Sequence, residues 1–266
     1  MNSDGLLSIS EFSRITGVSR SALIYYDDIG VFSPIKRGKN QYRYYAPQQI
    51  TTVKFINVLN SLKVPLRVIS RLAAQRTPDS ITKVLTAEDL KASGKIAELE
   101  EYVGMFQTRL ALIKEAENAT VDQVEIRELE ELPLIMGPLN VFERDGEYLQ
   151  PFGEFCLHYQ HESNLLSYPV GGFFDSFESF VDAPASPSHF FFVHPRGAQP
   201  RPAGRYLVAH THAYYGQANN IEQRMFAFAR ENGLSTKGPV YNIFLLDEIT
   251  NSSYENYLLQ ASVALE

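Results

Sequence analysis

SISEFSRITGVSRSALIYYDDIG, residues 8–30, is the stretch from which the N-terminal fold is read. Ser8 and Glu11 have the S-x-x-E spacing of a capping box, in which a hydroxyl and a carboxylate satisfy the first free amides of a helix. Ile9, Phe12 and Ile15 follow at helical spacing until Gly17. Ser19 is a second N-cap, after which Ala22, Leu23, Tyr26 and Ile29 form an apolar stripe that Gly30 stops. Two short helices joined by Thr16-Gly17-Val18 predict a helix-turn-helix, whose second helix offers Ser19, Arg20, Ser21 and Tyr25 to a major groove. Such a turn also occurs inside ordinary helical bundles, so the next segment matters.

That segment, Lys36-Arg37-Gly38-Lys39-Asn40-Gln41-Tyr42-Arg43-Tyr44-Tyr45, is a basic, glycine-containing turn running into an aromatic strand. It reads as a β-wing. Extended side chains and turn amides follow a phosphate backbone well, and Arg43 is the best placed for a forked phosphate contact, with Lys36, Arg37, Lys39 and Tyr42 beside it. Pro47 then opens a helix carrying Ile50, Val53, Phe55, Ile56 and Leu59, and Pro65 opens another with Leu66, Ile69 and Leu72.

Charge separates this region from the rest. Residues 1–76 hold eleven Lys/Arg against four Asp/Glu, a net +7, whereas the remaining 190 residues hold 13 basic and 27 acidic groups, a net −14. A compact basic segment on an acidic body suits a polyanion, because lysines and arginines gain by displacing counterions from phosphates. The chain is 266 residues long and 44% hydrophobic, enough for two ordinary cores. It lacks any run of about 18 uncharged apolar residues, and MNSDGLLSIS has neither a basic leader nor a cleavage site, so a cytoplasmic protein without a membrane partner is expected. The single Cys156, among Phe155, Leu157 and Tyr159, reads as a small core residue rather than a redox group.

In the order SISEFSRITGVS, ALIYYDDIGVFSP, NQYRYYAPQQI and INVLNSLKVPLRVI, residues 7–75 resemble the winged-helix DNA-binding domain of the MerR family. The resemblance implies that Tyr25, Tyr26 and Arg43 contact DNA, supported by Tyr42 and the basic wing. Tyr26 and Tyr44 also suit a core, and both readings stand. Where the family commonly carries Arg before the two tyrosines this chain has Ile24, which removes a phosphate contact.

Beyond Thr77-Pro78-Asp79 no proline occurs until Pro133. Ala92, Ile96, Leu99, Val103, Phe106, Leu110 and Ile113 fill seven consecutive a/d positions of a long helix, from about Asp79 to Asn118. Such a seam needs a partner, most simply a second copy, and the MerR resemblance implies antiparallel pairing in a homodimer. At ~1.5 Å per residue the helix spans on the order of 60 Å, enough to hold two reading heads apart on a palindrome. Packing of the stripe on its own domain is the alternative.

From about Val121 the pattern changes to short aromatic-rich strands at 124–129, 134–141, 172–177, 189–194, 205–211, 240–247 and 257–265, with helical periods near 148–159 and 221–231. The expected fold class is therefore α+β with two domains: a winged helix-turn-helix over 1–76, a dimerisation helix over 77–120, and a mostly antiparallel sheet with helices over 121–266. PAGRYLVAHTHAYYGQANNIEQRMFAFARENG followed by GPVYNIFLLDE is similar to GyrI-like effector domains, which form the sensing half of BmrR-type MerR regulators.

An aromatic sheet supplies flat apolar walls for a planar ligand, and Phe155, Tyr159, Phe173, Tyr206, Tyr214, Tyr241, Phe244 and Tyr257 are the candidates, each equally suited to a core. The resemblance places a ligand-neutralising glutamate of the cation-binding relatives at Asn242 and a second acid at Gln260. Amides hydrogen-bond but do not neutralise a buried cation, so a neutral or polar aromatic effector is expected. The same glutamate is the hydrolytic group of some GyrI-like domains, so Asn242 also argues against catalysis, and no catalytic residue is assigned. A DNA-binding head fused to a hydrolase or to a ligand scavenger is the competing reading. His210 and His212 share a strand face, but no third ligand stands at metal spacing, and residues 105–125 lack the cysteines that the MerR resemblance would imply for a metal sensor; neither a metal nor a cofactor is expected. The function read from the chain is a ligand-responsive transcription regulator. The MerR resemblance implies that it binds double-stranded promoter DNA as a homodimer and acts on RNA polymerase indirectly, by distorting DNA when a small molecule occupies its C-terminal domain.

Overall fold

The computed structural model describes residues 5–38, 41–74, 77–142, 147–162 and 164–266. Two compact units divide the chain, Met1–Ala97 and Glu98–Glu266. One helix contributes to both.

In the first unit, β1 (Leu7–Ser8) leads directly into α1 (Ile9–Thr16), α2 (Arg20–Asp28) follows, and β2 (Lys36–Arg37) and β3 (Arg43–Tyr45) form the wing. The capping box is present: the Ser8 amide donates to Glu11 Oε2 at 2.8 Å and the Glu11 amide to Ser8 Oγ at 3.3 Å. Gly17 ends α1 in the left-handed region at φ 74°, which spares any side chain that strain and lets its amide reach Ser13 O at 2.9 Å. Ser19 Oγ accepts the Ala22 amide at 3.1 Å and starts α2. β3 is the centre of a three-stranded sheet, pairing Tyr45 with Leu7 and Tyr44 with Lys36. Behind it the rings of Phe12 and Tyr45 stack at 4.4 Å between centroids, with Phe32 at 5.7 Å from Tyr45. α3 (Gln49–Ser61) and α4 (Leu66–Ala74) close this core with Val53, Ile56, Leu59, Ile69 and Leu72.

The 40-residue α5 spans Pro78–Glu117. Its first turns bring Ile81 and Val84 to the first core, and its last turns bring Leu112 and Ala116 to the second.

The second unit is built on a seven-stranded sheet. Its strands are β4 (Val124–Leu129), β5 (Leu134–Leu139), β6 (Val170–Phe174), β7 (His189–Val193), β8 (Gly204–His212), β9 (Thr236–Leu246) and β10 (Leu258–Leu265), in the order β4-β8-β10-β9-β6-β7-β5 with every neighbour antiparallel. α6 (Leu149–His158), α7 (Phe177–Asp182) and α8 (Ile221–Glu231) complete it. Phe180, Ile221 and Met225 from α7 and α8 pack on Leu207, Val240, Ala261 and Val263 of one sheet face. The end of α5 covers the opposite face, where Leu112 meets Phe191, Val193, Ile243 and Leu258.

Two expected strands end more than one residue from where they were read. The one expected over 172–177 runs over Val170–Phe174, because Ser176 accepts the Ser179 amide at 3.1 Å and starts α7. The one expected to reach Val141 stops at Leu139, on the sheet edge, with an irregularity between Met136 and Leu139 where Pro138 lacks an amide to donate.

Candidate nucleic-acid interface and ligand cavity

The outer face of α2 follows from its inner one. Leu23, Tyr26 and Asp27 are buried, so the helix turns Arg20, Ser21, Ile24 and Tyr25 outward, and Tyr25 is 51% exposed. Ser19 is exposed, but its hydroxyl is engaged by the Ala22 amide and lies 3.0 Å from Ser21 Oγ. Tyr26 presents its ring to the core, 6.4 Å from the ring of Tyr25.

Sequence reasoning passed over Asp27, which organises the wing. Its Oδ2 accepts Arg37 Nη2 and Arg43 Nε, both at 2.6 Å, and Arg43 Nη2 adds a bond to Asp28 at 3.2 Å. The Asp27 side chain is 2% exposed and that of Arg43 20%. The hydrogen bond to Asp27 raises the Arg43 pKa above its ordinary value, against the effect of burial. Arg43, the expected phosphate contact, directs Nε and Nη2 at the end of α2. One signal was available: Asp27 and Asp28 are the only acids between Glu11 and Asp79. At the wing tip the Gly38 amide donates to Tyr42 O at 2.8 Å, while Lys36 is exposed and the ring of Tyr42 lies 5.6 Å from that of Tyr44. Lys39 lies outside the described residues. The result is a surface with a helix face and a clamped basic wing, suited to groove edges and phosphates respectively.

In the second unit, strand alternation separates the candidate ligand residues. Asn242 and Phe244 point to the α7/α8 side of the sheet, whereas Tyr241, Phe173, Tyr206 and Gln260 point to the α5 side. Asn242 is 8% exposed and its Oδ1 accepts no hydrogen bond from the described residues; it lines a narrow slot with Gly172, Pro187 and Gln217. Phe244 lies 4.7 Å from Tyr215, whose ring stacks on Tyr148 at 5.9 Å and Phe152 at 6.4 Å. Tyr257 joins Tyr215 at 6.0 Å and Tyr214 joins Tyr257 at 6.1 Å. Tyr148, Phe152 and Tyr215 thus pack with the candidate rings, and the sequence reading did not select them. Adjacent aromatic positions were visible at Tyr214-Tyr215, but a strand pattern does not say which ring turns inward.

The remaining candidates have structural work. Phe155 and Tyr159 pack on Phe192, and the Tyr159 hydroxyl donates to Met136 O at 3.3 Å. Tyr206 donates to Pro202 O at 2.8 Å beneath Arg201, and Phe173 meets Tyr241 edge-on at 5.6 Å. Gln260 donates to Glu115 Oε1 at 3.2 Å and lies 3.1 Å from His210 Nε2. Burial pushes the His210 imidazole down to about 4. His212 contacts Tyr257 O instead, and among the described residues no three His, Cys, Asp or Glu side chains converge as a metal site would require.

Three residues of α5, Glu101, Arg109 and Glu115, make polar contacts with the sheet unit. Glu101 accepts His194 Nε2 at 2.8 Å together with Arg196; burial alone would raise its carboxyl, but these partners hold it below the ordinary range. Arg109 donates to Asp247 at 2.7 Å and to Ser167 O at 3.1 Å, and Arg127 donates to Glu115 at 2.6 Å. On the other side of α5, Leu99, Val103, Phe106 and Leu110 are each between 50% and 57% exposed.

Residues 7–76 match the model of the MerR HTH family regulatory protein. The chain is 30% identical over 253 residues to the multidrug-efflux transporter 2 regulator of Bacillus subtilis (strain 168), covering 92% of this chain and 91% of that protein. It is 26% identical over 157 residues, 55% of each chain, to the multidrug-efflux transporter 1 regulator of the same organism. The structure is also similar to the cryo-EM structure of the EcmrR–DNA complex in EcmrR-RPo, at 16% identity and a TM-score of 0.40 over 98% of this chain and 99% of that chain.

Proposed function

The chain belongs to the MerR family of helix-turn-helix transcription regulators, and from that membership we propose that it binds promoter DNA as a homodimer and alters transcription when a small aromatic molecule enters its C-terminal half. The division of labour assigns DNA reading to residues 1–76, dimerisation to 77–120 and effector binding to 121–266. Ser21, Arg20 and Tyr25 on the face of α2 would meet base edges, while Lys36 and Arg37 on the wing, together with Lys39, would meet phosphates. No helix among the described residues is long and apolar enough to cross a membrane, and a DNA reader of this family works in the cytoplasm.

The observation that carries this reading is α5, whose exposed apolar stripe asks for a second copy while Arg109–Asp247 and Glu115–Arg127 fasten its inner side to the sheet. A helix committed on both sides is a suitable transmitter, because an effector that shifts the sheet must shift the helix seam or break these pairs. Bending a site to realign promoter elements for RNA polymerase costs on the order of 1–6 kcal/mol, which the dimer's two sets of contacts must supply.

The reading is tested by selecting random duplexes on the purified protein and footprinting the winners. Enrichment of an inverted repeat with two half-sites about 34–36 Å apart, or a multiple of that, is expected. Recovery of no preferred sequence would overturn it.

A further inference from the structure

A second cavity shares Phe244 with the Asn242 slot. Its volume is about 500 Å³, within the range of small-molecule sites, and it is bounded by Phe106 and Arg109 of α5, Tyr168, Tyr215, Phe244 and the 247–249 turn. Its polar groups are not equivalent. Asp247 is occupied, since Arg109 reaches its Oδ2 at 2.7 Å and the Ile249 amide its Oδ1 at 3.0 Å. Glu248 is exposed, and its carboxylate accepts the Tyr215 hydroxyl. Among the described residues lining the cavity it is the carboxylate that no arginine holds.

We propose that this cavity, beside α5, is where the effector binds, and that it takes a flat aromatic molecule with an N–H or O–H donor that replaces the Tyr215 hydroxyl on Glu248. The proposal rests on the reading of residues 121–266 as an effector domain and specifies the site. Phe152, Tyr168, Tyr215 and Phe244 offer ring faces and edges to a planar molecule. A donor directed at an ionised carboxylate makes a stronger bond than one directed at a neutral amide, so Glu248 rather than Asn242 selects the ligand's polar group. The location also explains transmission. Phe106 belongs both to the cavity rim and to the exposed stripe of α5, and Arg109 is fastened to the residue next to Glu248. Filling the cavity loads the helix segment that carries the seam.

The matched probes are acridone, which is planar and neutral with one N–H, and N-methylacridone, which lacks that donor. Fluorescence titration of the full-length protein should give acridone about tenfold tighter binding, the scale of one hydrogen bond to a charged group. Glu248→Ala should abolish the preference; Glu248 is exposed, so melting checks that the fold is intact. Tyr215→Phe keeps the ring but removes the competing hydroxyl, and should tighten acridone several-fold, a gain that mere structural damage would not produce. A preference that survives Glu248→Ala but falls in Asn242→Leu would place the molecule in the slot and overturn the site assignment. So would failure of acridone to bind up to its solubility limit. Either result leaves the DNA selection experiment to judge the regulator reading independently.

Discussion

Asp27 and Arg43, sixteen residues apart, are joined by a 2.6 Å hydrogen bond from Nε to Oδ2 that ties the returning strand of the wing to the end of the recognition helix. Arg37 shares the same oxygen at 2.6 Å, so one nearly buried carboxylate sets the position of two basic wing residues. The wing is therefore positioned before DNA arrives.

A thermodynamic cycle tests this arrangement. Asp27→Ala should destabilise the first unit by about 1–3 kcal/mol, since it removes hydrogen bonds to charged groups whose arginines can rehydrate. Asp27→Ala and Arg43→Ala should each weaken DNA binding, and the double variant should be little worse than either. Additive losses, with a salt slope reduced only in Arg43→Ala, would mean that Arg43 grips a phosphate directly.

Charge in the α5 stripe should separate the copies. Leu99→Asp with Val103→Asp places two carboxylates where a partner helix would desolvate them, and sedimentation should report a monomer that loses specific DNA binding. An unchanged dimer would refute the seam as the interface.

His210 should make stability pH-dependent in one direction. Burial holds its folded-state value down to about 4, with Arg127 acting in the same sense and Glu115 against, while the unfolded chain titrates near 6.5. Between these values the unfolded chain binds more protons, so stability falls as pH drops from about 6.5 to about 4 and levels off below. Denaturation of wild type and His210→Gln at pH 7 and pH 4.5 checks this: the wild type should lose more stability on acidification than the variant.

Gly197 should tolerate no side chain. A Cβ there would lie 2.3 Å from Leu134 N and 2.4 Å from its carbonyl, and backbone in a paired strand cannot retreat as a flexible side chain can. Gly197→Ala should cost at least about 2 kcal/mol in chemical denaturation, with a loss below about 0.5 kcal/mol counting against this packing.

Several features were legible in the sequence because their causes are local. The capping box at Ser8 and Glu11, the left-handed Gly17, the Ser19 cap and the wing turn depend on residues within a few positions of one another. The 3–4 spacing of the α5 stripe and the alternating strands from Val124 onward are likewise periodicities that a single segment carries. Ser176 carried an equally local capping signal for α7, which was hidden by the aromatic run around it.

What the amino-acid order determined alone was the α+β class, the helix-turn-helix with its wing, the long helix with its apolar stripe and the basic-to-acidic division of the chain. Tertiary structure decided which side chains meet. Tyr241 and Asn242 are neighbours in sequence but point to opposite faces of β9, whereas Phe244 and Tyr215 come from different strands and loops and touch at 4.7 Å. Arg43 is a generic basic residue until the fold brings the Asp27 carboxylate beneath it. Local pattern sets which face of an element is apolar; only the pairing of distant strands and the docking of α5 set what lies across from it, and ligand and partner chemistry depend on that opposition.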